Sequence, residues 1–216
     1  MSKDEQEKTG VSKLSSKERT ALEQWLTRFT IAVATEAPRH SADAGAADLT
    51  IPRDRNPNLT PSVNPKFTPS INPDFTPSIN PAFTPSLNPD FTPSINPDFT
   101  PSLNPQFTPS INPNFTPSIN PDFTPSLDPT KSRWTGFYVF DVDAGFIGVA
   151  VKVKTNERVM LFFNGKGKWV GYFVSNDSRG FNWFDLKGEW IGYAVFNCKD
   201  SFNLFDKKGK WRAYLT

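Results

Sequence analysis

The chain has 216 residues, a formal net charge of +2, 21 prolines, one cysteine and one histidine. A lone cysteine, Cys198, excludes an intrachain disulfide framework, and with one histidine, His40, there is no cluster of soft donors for zinc. No run approaches the ~20 apolar residues of a membrane-spanning helix, and the N-terminus lacks the apolar core of a secretory leader. The expectation is a soluble, cytoplasmic protein, with export by a route that needs no cleaved signal left open.

Residues 1–14 are polar and charged and read as a disordered tail. Residues 15–37 read as one amphipathic helix. Ser15 and Glu18 form a capping box, and Leu22, Trp25, Leu26, Phe29 and Val33 recur at helical spacing to define one apolar face. A single helix cannot bury that face alone, so docking or self-association is expected of it. Residues 38–55 read as a flexible connector.

Residues 56–130 form the dominant feature. From 56 to 127 the octapeptide Asn-Pro-x-Phe-Thr-Pro-Ser-Ile/Leu/Val repeats nine times without a gap and holds 18 of the 21 prolines. Copies differ mainly at the third position (Asn58, Lys66, Asp74, Ala82, Asp90, Asp98, Gln106, Asn114, Asp122), and the first has Leu59 in place of Phe. Proline every fourth residue removes backbone donors too often for an α-helix or a central strand. Each octapeptide is instead two turn sequences. Proline presets φ at the second turn position, and Asn or Thr at the first is expected to cap the turn through its side chain. Eight copies carry phenylalanine (Phe67, Phe75, Phe83, Phe91, Phe99, Phe107, Phe115, Phe123). Ordered turns would set these rings and the Ile/Leu positions in regular rows, whereas an extended polyproline II linker would not. The Asn-Pro-x-Phe tetrads also resemble the sorting motifs of receptor tails. That resemblance implies a multivalent array read by a phosphotyrosine-binding-type domain.

Residues 131–216 change texture to aromatic and β-branched residues with short polar turns. A 21-residue repeat runs from Phe163 to Tyr172, from Phe184 to Tyr193 and from Phe205 to Tyr214, each copy being strand, turn, strand. Gly167, Gly188 and Gly209 are placed to supply the positive φ of the turn. With an upstream hairpin across Asp141–Gly145 the count is about eight antiparallel strands. The Phe-Asn/Asp-x-Lys-Gly-x-Trp units resemble WG-type bacterial repeats, and the tandem hairpins resemble MORN arrays; both are likenesses of architecture. The fold class expected is mostly β. A C-terminal meander, as a small up-and-down barrel or a curled sheet, follows a proline-rich turn-repeat stalk and one N-terminal helix. The C-terminal segment is long enough to be expected to fold alone.

These residues give enzymatic chemistry little to work with, so the protein is expected not to be an enzyme and to need no cofactor or metal. The leading expectation is a structural and interaction protein, in which a stalk or self-associating array presents the β-domain to a protein partner or to other copies. The alternative rests on charge and aromatic rows. Residues 131–216 carry fourteen basic and eight acidic side chains. Lys166, Lys168, Lys187, Lys207, Lys208 and Lys210 sit at equivalent turn tips, expected to gather along one edge. Trp169, Trp190 and Trp211 occupy equivalent strand positions, with Tyr172, Tyr193 and Tyr214 expected on the opposite face. Such rows suit a polyanion or a polysaccharide, as in a nucleic-acid-binding or lectin-like module.

Overall fold

The computed structural model describes residues 49–197 and 199–216. The expected N-terminal helix with its face of Leu22, Trp25, Leu26, Phe29 and Val33, together with His40 and Cys198, lies outside the described residues.

Eight antiparallel strands close into a barrel in simple up-and-down order: β1 (Gly136–Asp141), β2 (Phe146–Lys152), β3 (Val159–Asn164), β4 (Trp169–Ser175), β5 (Gly180–Asp185), β6 (Trp190–Phe196), β7 (Phe202–Asp206) and β8 (Trp211–Leu215). The ring closes through β1 on β8, where Val139 faces Leu215 and Phe140 faces Tyr214. The expected three-copy repeat is in fact four copies. Each hairpin breaks register at the same place, before Phe140, Phe163, Phe184 and Phe205. In every hairpin one carboxylate or amide oxygen ties the turn. Oδ1 of Asp141, Asn164, Asp185 and Asp206 each accepts from the backbone N–H groups two and four residues on. Positive φ is supplied by Gly167, Gly188 and Gly209, as expected, and by Ala144 at the fourth place, with φ 65°.

Both faces of the barrel wall are apolar. The lumen of an eight-stranded barrel is just wide enough for side chains, and here it is filled. Rings meet across skipped strands, Phe162 on β3 with Trp183 on β5 at 5.3 Å and Phe137 on β1 with Phe202 on β7 at 5.5 Å. Those residues therefore point inward. Val151, Leu161, Phe163, Tyr172, Phe184, Tyr193 and Phe205 alternate with them and point out, yet they too are buried.

The octapeptides cover that outer wall. Each is one coil of two tight turns; its Pro-Ser-Ile/Leu/Val segment forms a 3-10 turn, and the run of these spans Pro61–Val63 through Pro125–Leu127, preceded by a like turn at Arg53–Arg55. Ile111, Ile119 and Leu127 share a single hydrophobic core with the outward residues of β2 to β7. The coils run past the strands in reverse order. Thr216, after β8, donates to Arg55; Asn203 on β7 donates to Ile71; Asn182 on β5 donates to Ile95; Asn156, before β3, donates to Ser110. Leu49 and Thr130, on either side of the tract, both lie against Gly167 of the β3–β4 turn. The tract is thus a belt around the barrel and not a stalk that holds it away.

The belt and the barrel match in number. Asn182 and Asn203 are 21 residues apart, one hairpin, while their acceptors Ile95 and Ile71 are 24 apart, three octapeptides. Three coils therefore cover one hairpin.

Candidate interaction surface

Within a coil, the repeat sequence divides its eight positions by environment. The Asn, the Pro after it and the Ile or Leu face the barrel; the third residue, Phe, the second Pro and Ser face outward. The asparagines bond within and between coils. Oδ1 of Asn112 accepts from the backbone N–H of Asn114 at 2.9 Å, while its amide donates to the carbonyl of Pro105, one coil back, at 3.0 Å. The same pair of bonds recurs at Asn64, Asn72, Asn80, Asn96, Asn104 and Asn120. Threonine departs from its expected capping role. Its hydroxyl does not cap the turn that follows; it donates one coil back, as Thr116 does to Pro109 at 2.6 Å. Proline carbonyls are the natural acceptors, since proline has no N–H with which to build a ladder of its own.

With the backbone satisfied by Asn and Thr, the phenylalanines are left for contact with something else. Phe67, Phe75, Phe83, Phe91, Phe99, Phe107, Phe115 and Phe123 are 63–71 % exposed, and Leu59 is 58 % exposed. They are the exposed large hydrophobic residues of the described chain. Together the eight rings offer on the order of 1,000 Å² of apolar surface, well beyond scattered exposure of single residues. Because the belt is curved, the rings radiate around the barrel and do not line a single plane. The third-position residues edge this rim on the side of the hairpin turns. Asn58, Gln106 and Asn114 reach the carbonyls of Ala144, Gly188 and Leu186 there.

The tryptophans lie elsewhere than expected. Trp169 and Trp211 are half-buried and Trp190 is buried, all against the outer-wall core, and each indole N–H donates to the backbone carbonyl two residues on. The expected opposite-face placement of Trp and Tyr fails. Trp211 and Tyr214 are neighbours, with ring centroids 6.5 Å apart. The cause is the bulge of each hairpin: an extra residue on the second strand (Val170, Ile191, Arg212) resets the alternation. Tyr172 and Tyr193 stack on Phe184 and Phe205 at 5.7 Å, and Tyr214 on Phe140 at 5.9 Å. Their hydroxyls are buried, and burial holds each phenol well above its ordinary range.

The six lysines do gather, around the hairpin-turn end of the barrel. Lys166, Lys187, Lys207 and Lys208 are exposed and Lys168 and Lys210 half-buried. They share that end with acidic groups, and Lys207 lies 4.7 Å above the Trp190 ring. Asp206 is paired with Arg212 at 2.6 Å. The structure thus brings the lysines together but leaves no free tryptophan row beside them. The phenylalanine rim was legible as a repeat, while its outward direction was not.

Compared with protein families, curated proteins and solved structures, the chain matches none.

Proposed function

We propose that this chain is a non-enzymatic structural and interaction protein whose working surface is the phenylalanine rim. One observation carries this reading: eight rings, each more than three-fifths exposed, stand on coils whose Ile and Leu side chains at the eighth position are buried, Leu87 alone among them being half-buried. A buried row of Asn bonds and a filled barrel hold these rings in fixed positions, so a partner orders only itself on binding. Since the rim is convex, one partner covers a few neighbouring rings, an area below the about 800 Å² per side of a stable interface. Contacts of this kind are weak singly and strong through repetition. A protein partner with several copies of a complementary apolar site, or other copies of this chain, fits that design.

A domain that reads the whole Asn-Pro-x-Phe turn is less well served. The asparagines of the eight Phe-bearing copies are 3–9 % exposed and bonded within the coil, so Phe and the third residue alone are presented.

Replacing Phe75, Phe83 and Phe91 together with serine tests the proposal. Concentration-dependent association in sedimentation, or capture of a partner by the intact chain, should fall at least tenfold while the thermal transition is kept. Unchanged association in a folded variant would refute it.

A further inference from the structure

The belt's three-to-one match with the hairpins makes each stretch of seam comparable with the stretch one quadrant on, by 24 residues in the belt and 21 in the barrel. At one quadrant the seam on the loop side is shut. Ile111 and Leu103 are each 1 % exposed, Val159 fills the wall, Asn156 donates to the carbonyl of Ser110, and the Arg158 guanidinium donates to the carbonyl of Ser102 at 3.1 Å. The equivalent residues one quadrant away are Leu87, Ile79, Gly180 and Arg179, and there the seam is open.

The two stretches differ at the wall and at the belt. Gly180 stands where Val159 fills the shut seam, and the Asn176 side chain takes part of that place: a Cβ on Gly180 would lie 2.8 Å from the Asn176 amide nitrogen and 2.6 Å from the Ala194 carbonyl oxygen. Leu87, equivalent to Ile111, is only half-buried. The belt also lacks one bond here. Asn88 keeps the bond from the Asp90 N–H, but its amide makes no bond back to Pro81, unlike its counterparts in the neighbouring coils. The cleft has an apolar side of Ile79, Leu87, Ile95, Val195 and Phe196, and Ser78, Ser86, Asn176 and Ser178 also line it. It continues past Gly180 and Phe196 into an apolar depression over Phe181 and Phe202 at the barrel mouth. Arg179 borders both parts. Its counterpart Arg158 is committed to Ser102 and, at 3.4 Å, to Asp177. Arg179 has no hydrogen bond or ion pair to any described residue, and its φ of 60° holds it in the left-handed region.

A largely apolar slot with one uncommitted guanidinium on its border has the chemistry of a single-tailed anionic amphiphile. The tail would lie against Ile79, Leu87, Ile95 and Val195, and the head would pair with Arg179, whose planar donors suit a carboxylate. We propose that the open seam at Gly180 and Leu87 is a binding site for a free long-chain carboxylate.

Calorimetric titration of the full chain with laurate, and separately with lauryl alcohol, tests the site. Saturable laurate binding is expected. Arg179→Gln should weaken laurate by tenfold or more, the scale of a lost charge-assisted hydrogen bond, and leave lauryl alcohol unchanged. Leu87→Phe, which refills the slot, should abolish both. Phe75→Ser, on the rim, should change neither. Absence of laurate binding, indifference to both seam variants, or loss in the rim variant would each overturn the proposal. Should Leu87→Phe disturb the coil, nitroxide-labelled laurate gives a second measurement on the unmodified chain. Broadening of amide signals centred on Gly180, Val195 and Phe196 is expected, and broadening spread over the rim overturns the site.

Discussion

The asparagine row is what holds one coil to the next, and Asn112→Ala shows by how much. Asn112 is 3 % exposed and has both ends of its amide in use, to Pro105 and Asn114. Alanine removes two hydrogen bonds, each worth about 0.5–1.5 kcal/mol net, and strands the buried Pro105 carbonyl at a further ~1–3 kcal/mol, partly relieved by relaxation. A loss of about 2–4 kcal/mol is expected. Two comparisons isolate the cause. At Asn88 the bond back along the belt is missing, so Asn88→Ala should cost about 1 kcal/mol, the worth of the single bond to Asp90. Thr116→Val removes one bond from an exposed edge and keeps the shape, so it should cost under about 1 kcal/mol. Urea unfolding of the full chain, followed by far-UV dichroism at constant slope, gives all three values. Equal costs for Asn112→Ala and Asn88→Ala, or a threonine cost as large as the asparagine one, would refute the idea that buried amide bonds between coils hold the belt.

Alkali should unfold the protein through its three buried tyrosines. Each folded phenol is raised above its ordinary value of 10.0, chiefly by burial, so the folded state keeps protons that the unfolded chain releases. That stability is complete below pH 10 and is lost as pH rises, at about 1.4 kcal/mol per pH unit per tyrosine; denaturation midpoints above pH 10 should fall steeply, and a triple Tyr→Phe variant should flatten the curve. Gly148→Ala should prevent folding, because φ is +155° and a Cβ there would sit 2.0 Å from the Phe163 carbonyl oxygen; circular dichroism of the purified variant checks it. Residues 131–216 expressed alone should bind a hydrophobic dye and melt without a sharp transition, since their outer wall of Val, Tyr and Phe is covered by the coils in the full chain. A cooperative, dye-silent melt would show that the barrel completes its own core.

Local chemistry made the two repeats readable from the residues alone. Proline every fourth position admits turns and little else, and Lys-Gly tips between aromatic strands fix hairpins, so turn coils and an eight-strand meander were both within reach of sequence. The rows of Phe and Ile followed from the period. Four matters belonged to tertiary structure. Whether the meander closed depended on β1 finding β8, a contact between the two ends of the segment that no local signal encodes. That the upstream hairpin is a fourth copy of the repeat was hidden because Ala144 and Phe146 stand where the other copies have Gly and Trp, and the shared geometry lies in the bulge and the Asp141 cap instead. The direction of each row was undecidable because period-two alternation predicts opposite faces for Trp211 and Tyr214, and one inserted residue per hairpin reverses it. The position of the belt depended on the barrel. An octapeptide coil has an apolar side and needs a cover, and only the closed barrel, with Tyr and Val turned outward in a fourfold pattern, offers one at three coils to each hairpin. That match buries the isoleucines and leaves the phenylalanines outside.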